Sequence, residues 1–228
     1  MTAVTIAGIG PGDPELVTLS AIHEAEISDV ILAPRSAPDR PGIAENIITH
    51  HFPHRHITPL FFPMTQDQTI RHGIILSQLE DMRTLLADRI TFFPVLGDST
   101  LYSTGCYVAQ AMSELFPDLD VNIIPGISAH SLASAYVSQF LAMNDEALTI
   151  IPGTAPREKI NATIHISDTV AIYKPSAIDD IRGLIDPAEF STVIRADHIG
   201  IPGHEDVFIG PEALDGLIGY MSVIILKR

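Results

Sequence analysis

The chain has 228 residues, 46% of them hydrophobic and 18% charged, and its formal net charge at pH 7 is −15. This length can form one large domain or two small ones, and no apolar run approaches the roughly 18 residues of a membrane-spanning helix. An acidic chain repels polyanions, which argues against a nucleic-acid partner bound through its phosphates. The single cysteine, Cys106, excludes an internal disulfide, and residues 1–6 lack the basic region of a secretory signal, so we expect a cytoplasmic protein.

The first half of the chain alternates short apolar segments with amphipathic ones, an order that predicts a largely parallel sheet with helices on both faces. Thr18 stands at the N-cap position of the first amphipathic stretch, and apolar residues recur at helical spacing across 66–88. Residues 35–63 are rich in proline and histidine, and we expect them to be mostly functional loop. The pattern predicts strands at 4–9, 30–33, 90–95 and 121–124, and helices at 19–27, 43–48, 66–88, from after 102 to about 116, and 128–137.

After residue 146 the pattern changes, because short apolar segments follow one another and strands outnumber helices. This order predicts a mixed sheet. We therefore expect two α/β domains: an N-terminal domain of residues 1–122 with a mostly parallel sheet, and a C-terminal domain of residues 123–228 with a mixed sheet. The later predicted strands are 148–151, 170–173, 192–195, 207–209 and 221–226.

The first glycine-bearing turn, Gly8-Ile9-Gly10-Pro11-Gly12-Asp13-Pro14, ends the first predicted strand. It is close to the G-x-G-x-x-G dinucleotide fingerprint, but Asp13 stands where the third glycine belongs and Pro11 has no N–H to donate. Main-chain N–H groups hold a pyrophosphate, so NAD and FAD are disfavoured. A simple tight turn without any ligand is the alternative.

Two more glycine-bearing turns, Leu96 to Thr104 and Ile124 to Ala129, also follow predicted strands. Gly97 allows a ligand to approach the main chain, and the Asp98 carboxylate can accept hydrogen bonds. Three such turns at successive strand ends predict a concave rim that binds a small ligand largely through main-chain groups. Helix capping alone also explains the hydroxyl residues of these turns: Ser99, Thr100 and Ser128.

Together with Ala171-Ile172-Tyr173-Lys174, the three turns resemble, in order and spacing, the tetrapyrrole methylases that use S-adenosylmethionine. The resemblance covers essentially the whole chain. Two residues depart from the family pattern, because Ser99 replaces a proline and Tyr173 stands where methionine is common. Within that family, three segments are most similar to the precorrin-2 or cobalt-factor II C(20)-methyltransferases of cobalamin biosynthesis: Phe62-Pro63-Met64-Thr65, residues 97–104 and Tyr220-Met221-Ser222.

The resemblance implies a homodimer of two-domain chains, with the active site in the cleft between the domains and no bound metal. Methyl transfer from a sulfonium to carbon needs alignment and exclusion of water, and it needs no covalent nucleophile. We accordingly expect Cys106 to be a small buried core residue. The resemblance implies that S-adenosylmethionine is bound by Pro11, Gly97, Asp98, Leu101, Tyr102, Ser128, Ala129 and Tyr173.

The implied substrate is a small anionic tetrapyrrole, so an acidic chain has to offer local cations for it. The 50–56 stretch is rich in histidine, but its spacing fits no standard zinc-ligand set. Further basic positions are Arg71-His72 and Arg157 with Lys159. We expect the substrate to be bound by Arg35, Arg40, residues 50–56, His130 and Lys174.

Asp98 is the expected catalytic base for the proton that leaves the methylated carbon, with His130 as the alternative. Other functions stay open: a methylase of uroporphyrinogen III or of a later precorrin, a diphthine-synthase-like methylase that acts on a protein, or a non-catalytic nucleotide-binding module. The net charge of −15 opposes an RNA methylase of related fold. The sequence leaves open whether the substrate already holds cobalt.

Overall fold

The structure is a computed structural model that describes residues 1–63, 65 and 67–228. It divides into two compact units, Met1–Ser128 and Ala129–Arg228. The first unit extends past the expected domain boundary at residue 122, because residues as far as Ile124 pair with the N-terminal strand. Met64 of the Phe62–Thr65 motif lies outside the described residues.

The first unit is built on a five-stranded sheet whose paired strands are all parallel. Its inner strands are short apolar runs, as expected for strands that are covered on both faces. The strands are β1 (Ala3–Gly8), β2 (Val30–Arg35), β3 (Ile57–Phe61), β4 (Ile90–Val95) and β5 (Asp120–Ile124). Across the sheet they stand in the order β3-β2-β4-β1-β5.

Helices cover both faces of this sheet, as the sequence predicts. One face carries α1 (Leu19–Ile27) and α2 (Ile43–His51), whose buried residues belong to one hydrophobic cluster. The other face carries α3 (Gln68–Asp81) and α5 (Gly105–Leu115), which belong to a second cluster. The short helix α4 (Arg83–Leu86) continues from α3.

Side-chain caps set the starts of two of these helices. The Thr18 hydroxyl accepts a hydrogen bond from the main-chain N–H of Ala21 at 3.2 Å, which confirms the predicted N-cap. Asp67 caps α3 through two main-chain N–H groups, so this helix begins at residue 68. The predicted continuous helix 66–88 is wrong, because Met82, at φ −95° and ψ 6°, separates α3 from α4.

Strand β3 lies in the segment that the sequence predicts to be loop. Its Pro59 cannot donate a ladder hydrogen bond, and such a residue is tolerated because β3 is at the edge of the sheet. The edge position also leaves Ile57 and Phe61 only half-buried, so the apolar signal is weak.

The second unit contains a mixed five-stranded sheet, which confirms the predicted fold class. The strands are β6 (Leu148–Pro152), β7 (Thr169–Tyr173), β8 (Thr192–Asp197), β9 (Asp206–Ile209) and β10 (Ser222–Lys227). They stand in the order β6-β7-β10-β8-β9, with β6 and β7 parallel and the other neighbours antiparallel.

Two helices pack on opposite faces of this second sheet. Helix α6 (Ala129–Tyr136) contributes Ala133 to one hydrophobic cluster, and α7 (Arg157–Ile166) contributes Ile160 and Ile164 to the other. The sequence pattern predicts no helix at α7, because the face of this helix that packs inward is narrow and its other residues are mostly polar. Within the described residues, none of the helices combines the length and the apolar character needed to cross a bilayer.

Candidate functional site

Strands β1 and β4 are neighbours, but the chain leaves them toward opposite faces of the sheet. From β1 the chain continues to α1, and from β4 it continues to α5 on the other face. Open α/β sheets bind ligands in the crevice that such a divergence leaves at the carboxyl ends of the strands. The first two glycine-bearing turns lie at this crevice.

The turns after β1 and β4 are joined through their main chains. The Gly97 N–H donates to the Gly10 carbonyl at 2.7 Å, and the Gly10 N–H donates to the Gly97 carbonyl at 3.2 Å. Both glycines have a φ of +76°, which favours glycine over residues with a side chain. A Cβ added at Gly97 would meet no atom within 4 Å, so open space lies beside this residue.

The turn after β5 joins the same cluster. A Cβ added at Gly8 would lie 2.6 Å from the Gly126 nitrogen and 2.7 Å from the Gly97 carbonyl oxygen. A Cβ at Gly126 would overlap the same carbonyl oxygen. The three turns therefore meet so closely that side chains do not fit between them, which confirms the prediction that they converge.

The second turn is shaped by its own polar side chains. Asp98 Oδ1 accepts hydrogen bonds from the main-chain N–H and the hydroxyl of Thr100, both at 2.9 Å. The buried Ser99 hydroxyl donates to the Ile124 carbonyl at 2.6 Å and so links this turn to the end of β5. Helix α5 begins later, at Gly105, so the expectation that Ser99 and Thr100 cap it is wrong.

The remaining predicted donor-binding residues of the first unit flank these contacts. Pro11 is buried, Leu101 is half-buried and Ser128 is buried. Tyr102 has a φ of 51°, and its side chain is 41% exposed. Partial burial of the phenol raises the pKa of Tyr102 above its ordinary value of 10.0, because desolvation disfavours the charged form.

Arg35 is the last residue of β2, at the carboxyl end of the sheet, and is already paired with a carboxylate. Its Nε and Nη2 each donate to one oxygen of Glu45 at 2.6 Å, and Nη1 donates to the Pro38 carbonyl at 3.3 Å. Hydrogen bonding to Glu45 raises the pKa of Arg35, and the same bonds lower the pKa of the Glu45 carboxyl. This bidentate pair holds the segment between β2 and α2.

The other two arginines of the proline- and histidine-rich segment, Arg40 and Arg55, lie in different parts of the first unit. Arg40 is exposed in the turn before α2. Arg55 donates to the carbonyls of Glu26 and Ser28, which precede β2, at 3.0 and 2.6 Å. Arg55 therefore lies at the amino end of the strands, away from the glycine turns. The expectation that the whole 50–56 segment faces the site is wrong.

In the second unit, His130 and Tyr173 form a contact of their own. The Tyr173 hydroxyl lies 2.8 Å from His130 Nδ1 and accepts a hydrogen bond from the His130 main-chain N–H at 3.3 Å. Next to Tyr173, Lys174 has a φ of 52° at the end of β7. The Tyr173 carbonyl accepts from the Gly153 N–H at 2.6 Å, which joins the ends of β6 and β7.

The remaining site expectations concern Cys106 and the binding of a metal ion. Cys106 is exposed in the first turn of α5, with its thiol 3.1 Å from the Ser103 carbonyl, so the prediction of a buried core residue is wrong. Among residues 1–63, 65 and 67–228, no three His, Cys, Asp or Glu side chains are grouped as they would be around a metal ion.

Comparison with known sequences gives a consistent picture. A family model described as Tetrapyrrole (Corrin/Porphyrin) Methylases matches residues 3–214. The chain is 30% identical over 230 residues to the probable cobalt-precorrin-2 C(20)-methyltransferase of Methanocaldococcus jannaschii, and the alignment covers 97% of this chain and 94% of that protein.

Two solved structures share the fold. The putative cobalamin synthesis related protein (CobF) from Corynebacterium diphtheriae has a TM-score of 0.75 and 20% identity, covering 100% of this chain and 99% of that one. The uroporphyrin-III C-methyl transferase from Thermus thermophilus, complexed with S-adenyl homocysteine, has a TM-score of 0.66 and 16% identity, covering 99% and 97%.

Proposed function

We propose that this chain, which belongs to the tetrapyrrole (corrin/porphyrin) methylases, transfers a methyl group from S-adenosylmethionine to C(20) of precorrin-2 or of its cobalt complex. Membership of the family confirms the resemblance found in the sequence, and the chain is a methyltransferase. The observation that supports a small-molecule donor site is the meeting of Gly8, Gly97 and Gly126 at the carboxyl ends of β1, β4 and β5. The relative from Methanocaldococcus jannaschii supports the choice of C(20).

The donor-binding residues of the proposal in the first unit belong to the three turns. The open space beside Gly97 allows a ligand to approach the main chain, and the converged glycines keep side chains out of the place where the turns meet. The donor supplies an electrophilic methyl group on a sulfonium when it is bound. We assign its binding in this unit to Pro11, Gly97, Asp98, Leu101, Tyr102 and Ser128.

We assign donor binding in the second unit to Ala129 and Tyr173, and substrate binding to His130 and Lys174. The contact between the Tyr173 hydroxyl and His130 supports this grouping, because it fixes two of these side chains relative to each other. The two compact units, Met1–Ser128 and Ala129–Arg228, are our proposed domains.

Asp98 is our proposed base, with His130 as the alternative. Asp98 Oδ1 is engaged by Thr100, and Oδ2 makes no hydrogen bond with the described residues. A carboxylate held by one oxygen is oriented while its other oxygen can take up a proton. The turn therefore provides both the position and an accepting atom.

Arg40 and Arg35 are our proposed cations for the carboxylates of the tetrapyrrole. Arg35 has lost much of its free hydrogen-bonding capacity to Glu45, so we expect it to act mainly by holding the loop that carries the exposed Arg40. An exposed guanidinium with no ion-pair partner among the described residues suits a polyanionic substrate in an otherwise acidic protein.

The proposal is tested by anaerobic incubation of the protein with isotopically labelled S-adenosylmethionine and either precorrin-2 or its cobalt complex. We expect mass spectrometry to show one labelled methyl group in the tetrapyrrole product, placed at C(20) by NMR. Uroporphyrinogen III serves as the comparison substrate. Methylation of uroporphyrinogen III alone, or of none of the three, would contradict the C(20) assignment.

We further propose that the protein is a cytoplasmic homodimer. Several large apolar side chains are exposed on the single chain, and contact with a second copy would remove them from water. Examples in the two units are Leu19, Ile123, Phe140 and Ile166. Light scattering coupled to gel filtration measures the assembly, and a mass equal to that of one chain would contradict the dimer.

A further inference from the structure

Arg71 is a second arginine at the carboxyl end of the first sheet, and it lies in the first turn of α3. The Gln78 side chain exchanges two hydrogen bonds with the main chain of Phe61, the last residue of β3, at 2.8 and 2.9 Å. Arg71 is seven residues before Gln78, about 10 Å nearer the start of the helix. Because the chain enters α3 from the end of β3, Arg71 lies on the side of the sheet where the glycine turns meet.

An aromatic ring fixes the position of the Arg71 guanidinium. Its Cζ lies 4.4 Å from the centroid of Tyr107, in the first turn of α5. The Tyr107 N–H donates to the Thr104 carbonyl at 3.2 Å, so the ring is attached directly to the turn that begins at Gly97. Stacking of this kind holds an arginine in one orientation without using its N–H groups.

Within residues 1–63, 65 and 67–228, the charge of Arg71 has no carboxylate partner. None of the ion pairs in the described part of the chain includes it, although Arg35, Arg83, Arg182, Arg195 and Arg228 are each paired with an acidic residue. Nη1 donates to the Thr65 carbonyl at 3.2 Å, and the buried Nε has no partner among the described residues. A half-buried cation that lacks an anion is costly, and a ligand carboxylate would satisfy it.

We propose that Arg71 binds a carboxylate side chain of the tetrapyrrole substrate and contributes to specificity for acidic tetrapyrroles; this assignment rests on the function proposed above. Arg71 and Tyr107 form a preoriented anion-binding pair at the edge of the site. Because Nε is buried, the Nη1 and Nη2 edge of the planar guanidinium is the part that can meet a carboxylate, and its stacked orientation is already set before the substrate arrives.

The test is a titration of the cobalt complex of precorrin-2 into the protein in the presence of S-adenosylhomocysteine, followed by absorbance. We expect Arg71→Met to raise the Kd of the tetrapyrrole about 10- to 100-fold, since a hydrogen bond to a charged group is lost. Arg71→Lys should give a smaller rise, because the charge stays and the fork is lost. The Kd of S-adenosylhomocysteine, measured by calorimetry, should not change.

Arg83→Met is the matched control, because Arg83 also lies over an aromatic ring, Phe116, at 5.7 Å but is paired with Glu80. It should leave both dissociation constants unchanged. Unchanged tetrapyrrole binding in both Arg71 variants would overturn the assignment, and so would an equal loss of tetrapyrrole and S-adenosylhomocysteine binding. Wild-type protein that binds no tetrapyrrole would overturn the proposed function itself, and with it this assignment.

Discussion

The two units differ in the contacts that bring the ends of their strands together. In the first unit, three turns approach until their main chains touch, and glycine at positions 8, 10, 97 and 126 makes that approach possible. In the second unit, a main-chain bond between Gly153 and Tyr173 joins the ends of β6 and β7, and polar side chains make further connections. His130 contacts the Tyr173 hydroxyl, and Arg195 is paired with Asp197 at 3.1 Å while it lies over the Phe208 ring at 4.0 Å.

This difference follows from the two topologies. In a parallel sheet, the carboxyl ends of all strands lie at one edge, so turns from distant parts of the chain can meet there. In the mixed sheet of the second unit, the end of β8 lies beside the start of β10, and Asp197 is opposite Ser222. We therefore expect side-chain atoms added at Gly8 or Gly126 to destabilise the first unit, and loss of the Tyr173 hydroxyl that contacts His130 to destabilise the second.

The largest effect is expected from Gly126→Ala. The new methyl group would overlap the Gly97 carbonyl and the main chain of Gly8, so the turns would have to separate. Overpacking of this kind costs about 3 kcal/mol. Separation of the turns should also weaken the binding of S-adenosylhomocysteine. We expect its Kd to rise at least about tenfold, which corresponds to a loss of about 1.4 kcal/mol of binding free energy. Urea unfolding and calorimetry measure the two effects.

Gly73→Ala provides the control, because a Cβ at Gly73, in α3, would meet no atom within 4 Å. Alanine is the better helix former, so this variant should be more stable than wild type by up to about 1 kcal/mol. Equal stability of the Gly126→Ala variant and wild type would refute the close approach of the three turns.

An intermediate effect is expected from Tyr173→Phe in the second unit. The change removes the hydroxyl that contacts His130 Nδ1 and accepts from its main-chain N–H, so the free energy of unfolding should fall by about 1–2 kcal/mol. Tyr136→Phe is the matched control, because Tyr136 is 61% exposed, and it should change stability by less than about 0.5 kcal/mol. Equal effects of the two substitutions would show that the hydroxyl contact adds no stability.

The smallest effect is expected in the pH dependence of the unfolding free energy. It can be compared for one ion pair in each unit. Hydrogen bonds from Arg35 lower the pKa of Glu45, and the hydrogen bond from Lys227 lowers the pKa of Glu146. A carboxyl with a lowered pKa in the folded state stabilises the protein above its unfolded pKa, near 4.5, and this stabilisation is lost as the pH falls through the folded pKa.

Glu45→Gln and Glu146→Gln should therefore each reduce the fall in unfolding free energy between about pH 7 and pH 3. The change should be larger for Glu45, which is buried and accepts two hydrogen bonds from Arg35, than for Glu146, which is half-buried and accepts one from Lys227 and one from the Met143 N–H. The exposed Glu158 offers the control Glu158→Gln, for which we expect the wild-type slope. A larger effect at Glu146 would reverse this ranking of the units.

Local patterns in the sequence are enough to predict much of the fold. Alternation of apolar and amphipathic segments predicts the parallel sheet, and Thr18 marks the start of α1 correctly. Strand β3 escapes prediction because Pro59 and the half-buried Ile57 belong to an edge strand, whose sequence need not be continuously apolar. Helix α7 is missed because it buries little more than Ile160, Thr163 and Ile164.

The glycine turns of the candidate site can be predicted from the sequence. The partners of its charged side chains are harder to predict. The glycine turns have a local signature, whereas the partners of Arg35 and Arg55 are set by tertiary contacts. The sequence does contain a signal for Glu45, the partner of Arg35. Glu45 stands three residues after Gly42, at a position where acidic residues cap helices. The spacing of the buried residues of α5, including Gly105, Val108 and Met112, similarly places Cys106 on the other side of the helix.

The position of β1 in the sheet determines when during synthesis the donor site can appear. Its two neighbours, β4 and β5, begin at Ile90 and Asp120, so β1 has no sheet partner until long after its own translation. Contacts between such distant segments form slowly. Gly8 reaches Gly126 only once β5 has docked, so a nascent chain released earlier would lack the binding turns as a set.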